Sequence, residues 1–202
     1  MKHRMRSNCI IDRSITEPIV NWVNANDEML SRYQNESHDG VVYWKAKLEQ
    51  KIPLFEELGF PYDNLFQLEK EIKKLYDLPD ANYETIMGIM LIFAPGVKMS
   101  ENFNGYKCTP HKDPNTNSDN DVHTRFNIMI SAPLDGGNPI IENTIIEVNE
   151  NEPWICVAGL HLHSTMKMQG PKSRIVVSFG YWYSKEFLES RGWVDMYKNL
   201  EI

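Results

Sequence analysis

The sequence predicts an α+β protein with a mainly β core, in which N-terminal helices buttress one face of an antiparallel sandwich. Apolar residues recur at helical spacing from Thr16 to Leu78. Near residue 84 the pattern changes to short runs rich in Ile, Val, Phe and Tyr, and turn residues separate those runs. No linker rich in Pro, Gly or Ser divides the two parts, so residues 1–202 read as a single domain. That domain has a mainly helical support over 14–80, a β core over 84–184 and a closing helix over 185–202.

Each element follows from its residues. Ile19, Trp22 and Val23 fall three and four apart, as on one helix face. In WKAKLEQKIPLFEELGF, Pro53 marks a break or a helix start and Gly59 a stop. NLFQLEKEIKKLYDLPD carries an apolar stripe of Leu65, Leu68, Ile72 and Leu75, ended by Pro79, and its expected role is core packing. The strand runs are TIMGIMLIF, TRFNIMISA, NPIIENTIIEV, WICVAGLHLH and SRIVVSFGYWY. Pro95-Gly96, Asp135-Gly136-Gly137, Asn149 to Pro153 and Gly170-Pro171 separate them, as in a sandwich or barrel. Ser184 is placed to cap the closing helix, with Glu186 in its first turn.

Composition excludes several function classes. A net charge of −7 argues against a nucleic-acid partner, because such surfaces cluster Lys and Arg. The one basic cluster, MKHRMR, reads as a frayed terminus. No apolar run is long enough to cross a bilayer, and no apolar stretch follows the basic start as in a secretory signal. Cys9, Cys108 and Cys156 lack CxxC spacing and read as reduced thiols of a cytoplasmic protein, with Cys156 in the core.

The chemistry-bearing residues lie in the β part. His111 and Asp113 are two apart in TPHKD, so on an extended segment both side chains share one face. Alone, such a pair is weak, since the chain has six histidines. His163 lies 50 residues past Asp113, near the end of an apolar run and beside Ser164 and Thr165. It is the preferred second imidazole, although His161 has the same parity and alternation does not separate the two. Two imidazoles and one carboxylate form the facial ligand set of a non-haem Fe(II) site with open positions. Arg174 opens RIVVSFGYW on the face of Val176, Ser178 and Gly180. It is either a rim salt bridge or an inward guanidinium held for a carboxylate, with Ser178 able to add a hydrogen bond. Arg125, Asn127 and Met129 likewise share one face of their strand. That face lines a polar cavity within the sandwich or is exposed to solvent.

These residues together resemble the 2-oxoglutarate/Fe(II)-dependent oxygenase family over about Met87 to Tyr183. The shared pattern is HxD, a distal His about fifty residues on, and an Arg or Lys roughly ten residues later. IFAPGVKM is similar to the family's lead-in and RIVVSFGYW to its closing strand. The resemblance implies a double-stranded β-helix, related to jelly-rolls and cupins, with the N-terminal helices against one sheet. It implies that His111, Asp113 and His163 bind Fe(II) and that Arg174 pairs with 2-oxoglutarate. Ser178, Asn127 and Arg125 are the further candidates for co-substrate binding. The activity implied is hydroxylation of a C–H bond with release of succinate and CO2, and the presence of Asp113 sets the chain apart from the family's halogenases.

The expected substrate is an amino acid or a peptidyl side chain. Trp154, Trp182, Tyr106 and Met129 are pocket-lining or core residues. ENFNGYKC and PNTNSDNDV flank the HxD as polar loops, and Asp119 and Asp121 would favour an amine or basic peptide. Two other classes share these residues. One is a cupin-like metalloenzyme without a keto acid, with His123 as a further ligand; the other is a non-catalytic binding module.

Overall fold

Apolar residues three and four apart give the N-terminal helices one buried face each, and those faces meet a sheet. The computed structural model describes residues 10–32, 52–83, 88–94, 106–114, 120–168 and 170–197. The basic start, Cys9, the 44–51 part of the second helical segment, Pro95-Gly96 and most of both loops flanking the HxD lie outside the described residues.

Helix α1 (Arg13–Ala25) begins where the Asp12 side chain accepts a hydrogen bond from Ser14 N, and it buries Ile15, Ile19, Trp22 and Val23. α2 (Asp27–Arg32) and α3 (Pro53–Glu57) are short; Pro53 starts α3, and Gly59 follows it at φ +70°. α4 (Tyr62–Leu75) buries Leu65, Leu68 and Ile72 along the expected stripe.

Eight strands follow among the described residues: β1 (Ile89–Ala94), β2 (Tyr106–His111), β3 (Asp121–Ser131), β4 (Pro139–Ile141), β5 (Thr144–Ile145), β6 (Pro153–Cys156), β7 (His163–Met168) and β8 (Arg174–Ser184). They form two antiparallel sheets, ordered β1-β8-β3-β6 and β2-β7-β4-β5. The chain passes back and forth between the sheets, so strands adjacent in sequence mostly sit in different layers.

Period-two alternation sorts the first sheet into two faces. Leu91, Phe126, Ile128, Val177 and Phe179 point outward, into one core with Ile19, Leu65, Leu68 and Ile72 of the helices. Glu69 of α4 is the buried charge in this layer; it accepts hydrogen bonds from the Tyr83 and Tyr181 hydroxyls, each at 2.6 Å, and lies 3.0 Å from Lys73 Nζ. Met129, Trp154, Cys156 and Val176 point the other way, into a second core with Ile141, Ile146 and Val148.

The chain departs from the sequence reading at four places, and one is residues 106–108, which open strand β2 where a polar loop was expected. WICVAGLHLH is not one strand. β6 stops at Cys156, the chain turns as Leu160 N and His161 N both bond Val157 O, and β7 begins at His163 in the other sheet. NPIIENTIIEV is a hairpin of two very short strands, turned at Glu142 and Asn143 with φ of 50° and 64°. The closing helix α5 (Lys185–Ser190) has the expected Ser184 cap, which accepts from Phe187 N, but it ends at Ser190, where Gly192 at φ +70° follows. Residues 198–202 lie outside the described residues.

Candidate metal centre

His111 is the last residue of β2 and His163 the first of β7, and the two are partners across the antiparallel ladder. Their rings stand 4.3 Å apart, centroid to centroid. His111 Nδ1 lies 2.8 Å from Thr109 O, and His163 Nδ1 lies 3.0 Å from His161 O. A carbonyl oxygen only accepts, so Nδ1 carries the proton in each ring and Nε2 presents its lone pair. Asp113 follows β2 and is anchored by its own amide, which donates to Ala158 O at 2.9 Å. Its Oδ1 sits 3.6 Å from His111 Nε2 and 3.9 Å from His163 Nε2. One ligand atom from each of the three residues falls within 4.8 Å of the others. Two imidazole lone pairs and a carboxylate oxygen converging on one point suit a divalent transition metal.

The charge states suit one as well. Burial alone would raise the Asp113 pKa, but the Arg125 guanidinium and then His123, His163 and His111 outweigh it and hold the carboxyl below its ordinary range. Burial lowers His163, which favours the neutral imidazole. His123 is pushed down to about 3, by burial first and then by Arg125.

The turn after β6 separates the two histidines that alternation left together. His161 is buried with Nε2 3.0 Å from Val194 O, and its ring meets Tyr197 edge-on at 5.1 Å. It stands outside the triad and packs against the C-terminal segment.

The inner face of the first sheet is polar and buried rather than solvent-exposed. Arg125 and Arg174 are each 6 % exposed, Asn127 is 7 % and Ser178 0 %. Arg125 Nε reaches Asp113 Oδ2 at 3.3 Å, and its Nη1 donates to Ser178 Oγ at 3.3 Å. Asn127 pairs in register with Ser178 on one side and Trp154 on the other. Arg174 is therefore no rim residue. Its Nε donates to Gly137 O at 2.8 Å, under the Asp135-Gly136-Gly137 turn. Both glycines have positive φ, of 69° and 76°. A Cβ on Gly136 would fall 1.8 Å from Lys167 O, and one on Gly137 would fall 3.2 Å from Arg174 Cδ, so the turn closes tightly only without side chains.

The sequence offers His123 only as a further ligand. Its Nδ1 lies 3.3 Å from Asp113 Oδ2, and its ring lies 5.6 Å from that of Trp182. It touches a triad member instead of joining the triad, and its shared parity with Arg125 and Asn127 was the signal available. Trp154, Trp182 and Met129 are buried.

No family model matches the sequence, and no curated protein matches it either. Solved structures do match. A prolyl hydroxylase from Trichoplax adhaerens, in complex with a hypoxia inducible factor peptide fragment, aligns with a TM-score of 0.55 at 14% identity, covering 88% of this chain and 84% of that one. A prolyl-4-hydroxylase from Pseudomonas putida aligns with a TM-score of 0.52 at 13% identity, covering 88% and 90%. A viral collagen prolyl hydroxylase from Paramecium Bursaria Chlorella virus-1, as its 2OG complex, aligns with a TM-score of 0.53 at 11% identity, covering 89% and 96%. The chain thus shares the fold of prolyl hydroxylases and other 2-oxoglutarate/Fe(II) oxygenases, and it carries a His-Asp-His triad.

Proposed function

We propose that this chain is an Fe(II)- and 2-oxoglutarate-dependent dioxygenase on a double-stranded β-helix, hydroxylating a C–H bond of an amino acid or peptidyl side chain. The observation that carries it is the convergence of His111, Asp113 and His163, with both imidazole Nε2 lone pairs turned toward one carboxylate oxygen. Iron held by these three residues would supply, with the keto acid and O2, the oxidising chemistry for the C–H bond, with succinate and CO2 as the co-products.

The chain's own residues divide the remaining work. His111, Asp113 and His163 hold the metal from one side and leave its opposite face open. Arg174 would hold the distal carboxylate of the keto acid, and its buried position supports that role. Arg125, Asn127 and Ser178 lie along the same face and hold the co-substrate's polar atoms. Trp154 and Met129 exclude water from the interior. A peptidyl substrate accords with the peptide fragment held by one structural neighbour, and proline is then among the side chains to try first.

The test is an anaerobic titration with Fe(II) and 2-oxoglutarate, followed by the visible charge-transfer band of the chelate. The band is expected in the wild type and lost in Arg174→Ala, with Arg174→Lys binding the keto acid roughly tenfold more weakly because it keeps charge but loses the planar fork. Iron binding without a band would overturn the 2-oxoglutarate reading in favour of a cupin-like metalloenzyme.

A further inference from the structure

The two oxygens of Asp113 have different neighbours. Oδ1 faces the two imidazoles at 3.6 and 3.9 Å. Oδ2 lies 3.3 Å from Arg125 Nε and 3.3 Å from His123 Nδ1. Both partners come from β3, two residues apart and therefore on one face of the strand, and both are buried. Arg125 is braced in turn by its bond to Ser178, and His123 by the Trp182 ring.

We infer that His123 and Arg125 are positioning residues that clamp Asp113 Oδ2 and so hold the carboxylate to a single metal bond through Oδ1. The inference rests on the metal-centre reading above. Its consequence is a matter of coordination number. A six-coordinate ion held by two imidazoles and one carboxylate oxygen keeps three open positions, enough for a chelating keto acid and one further ligand. A carboxylate free to rotate could bring both oxygens to the ion and occupy one of those positions. Groups that contact a ligand in this way orient it, and losing them costs roughly ten- to a hundredfold in metal affinity or activity. His123 and Arg125 suit the task because the strand fixes both donors at one spacing. His123 supplies a rigid ring nitrogen, and Arg125 a planar guanidinium, each 3.3 Å from Oδ2.

The number of metal-bound waters tests this without any keto acid. Mn(II) loaded into the full chain in 17O-enriched water shows line broadening by electron paramagnetic resonance that counts them. Three waters are expected in the wild type, and two in His123→Leu, which removes the donor. His123→Asn, which restores an amide donor near the Nδ1 position, should return the third. Arg125→Met breaks the other half of the clamp and should also lose one water, and it decides the matter if His123→Leu does not fold. Two waters in the wild type, or three in each folded clamp variant, would overturn the inference. The outcomes remain separable from the proposed function. A clamp that behaves as expected with no keto-acid chelate sinks the oxygenase reading alone. A chelate in the wild type with unchanged waters in the variants sinks the clamp alone.

Discussion

The two faces of the first sheet are made by alternate residues of the same strands, yet they have opposite characters. On β3, Phe126 and Ile128 face the helices, while His123, Arg125 and Asn127 face the interior between the sheets. On β8, Val177 and Phe179 alternate with Arg174, Val176 and Ser178 in the same way. The helix-facing side satisfies the buried charge of Glu69 internally, through two tyrosine hydroxyls and Lys73. The interior side instead carries His123, Arg125, Asn127, Arg174 and Ser178, of which His123 and Arg125 reach Asp113 of the triad that the opposite sheet supplies. Burying that much polar chemistry is unfavourable for stability unless it is paired. One face therefore packs into the first core, and the other is divided between the second core and buried polar groups.

The largest change expected from breaking this division is at the triad. Asp113→Ala should abolish Mn(II) binding by calorimetry, and so should His163→Ala, with cooperative unfolding retained in both. His161→Ala should leave metal binding near the wild-type level, since that ring is turned to Val194 and Tyr197. If His161→Ala abolished binding instead, the distal ligand would have been misplaced.

Next in size is the helix-facing core. Phe126→Ala should destabilise the chain by about 3–5 kcal/mol in chemical denaturation, through lost burial and the cavity left behind. Metal affinity of the folded protein should be unchanged; a parallel loss would mean that the two faces are not independent. The smallest effect expected is that of Glu69→Ala. It leaves the Tyr83 and Tyr181 hydroxyls without their acceptor and should cost about 1–3 kcal/mol, again with no change at the metal. A measurable shift in metal affinity there would show coupling through β8, whose Tyr181 and Ser178 belong to opposite faces.

Wherever a single element stays intact, the sequence alone determined its geometry. The stripe of Leu65, Leu68 and Ile72 needs only a period of 3.6, and the two faces of β3 and β8 need only a period of two. The HxD spacing pointed to His111 and Asp113 as neighbours, but Asp113 lies past the end of β2 and is held there by its amide hydrogen bond to Ala158 O. Tertiary structure decided what depends on where the chain turns. Parity could not choose between His161 and His163, because it holds only along one strand, and β6 ends before either residue. His163 reaches His111 because β7 crosses to the other sheet and pairs with β2. The contacts of His123 and Arg125 with Asp113 arise the same way, between residues of β3 and a loop after β2 that no local pattern links. Local periodicity records which way a side chain points. Which side chain it meets is set by long-range pairing between strands, whose partners lie outside any window of the sequence.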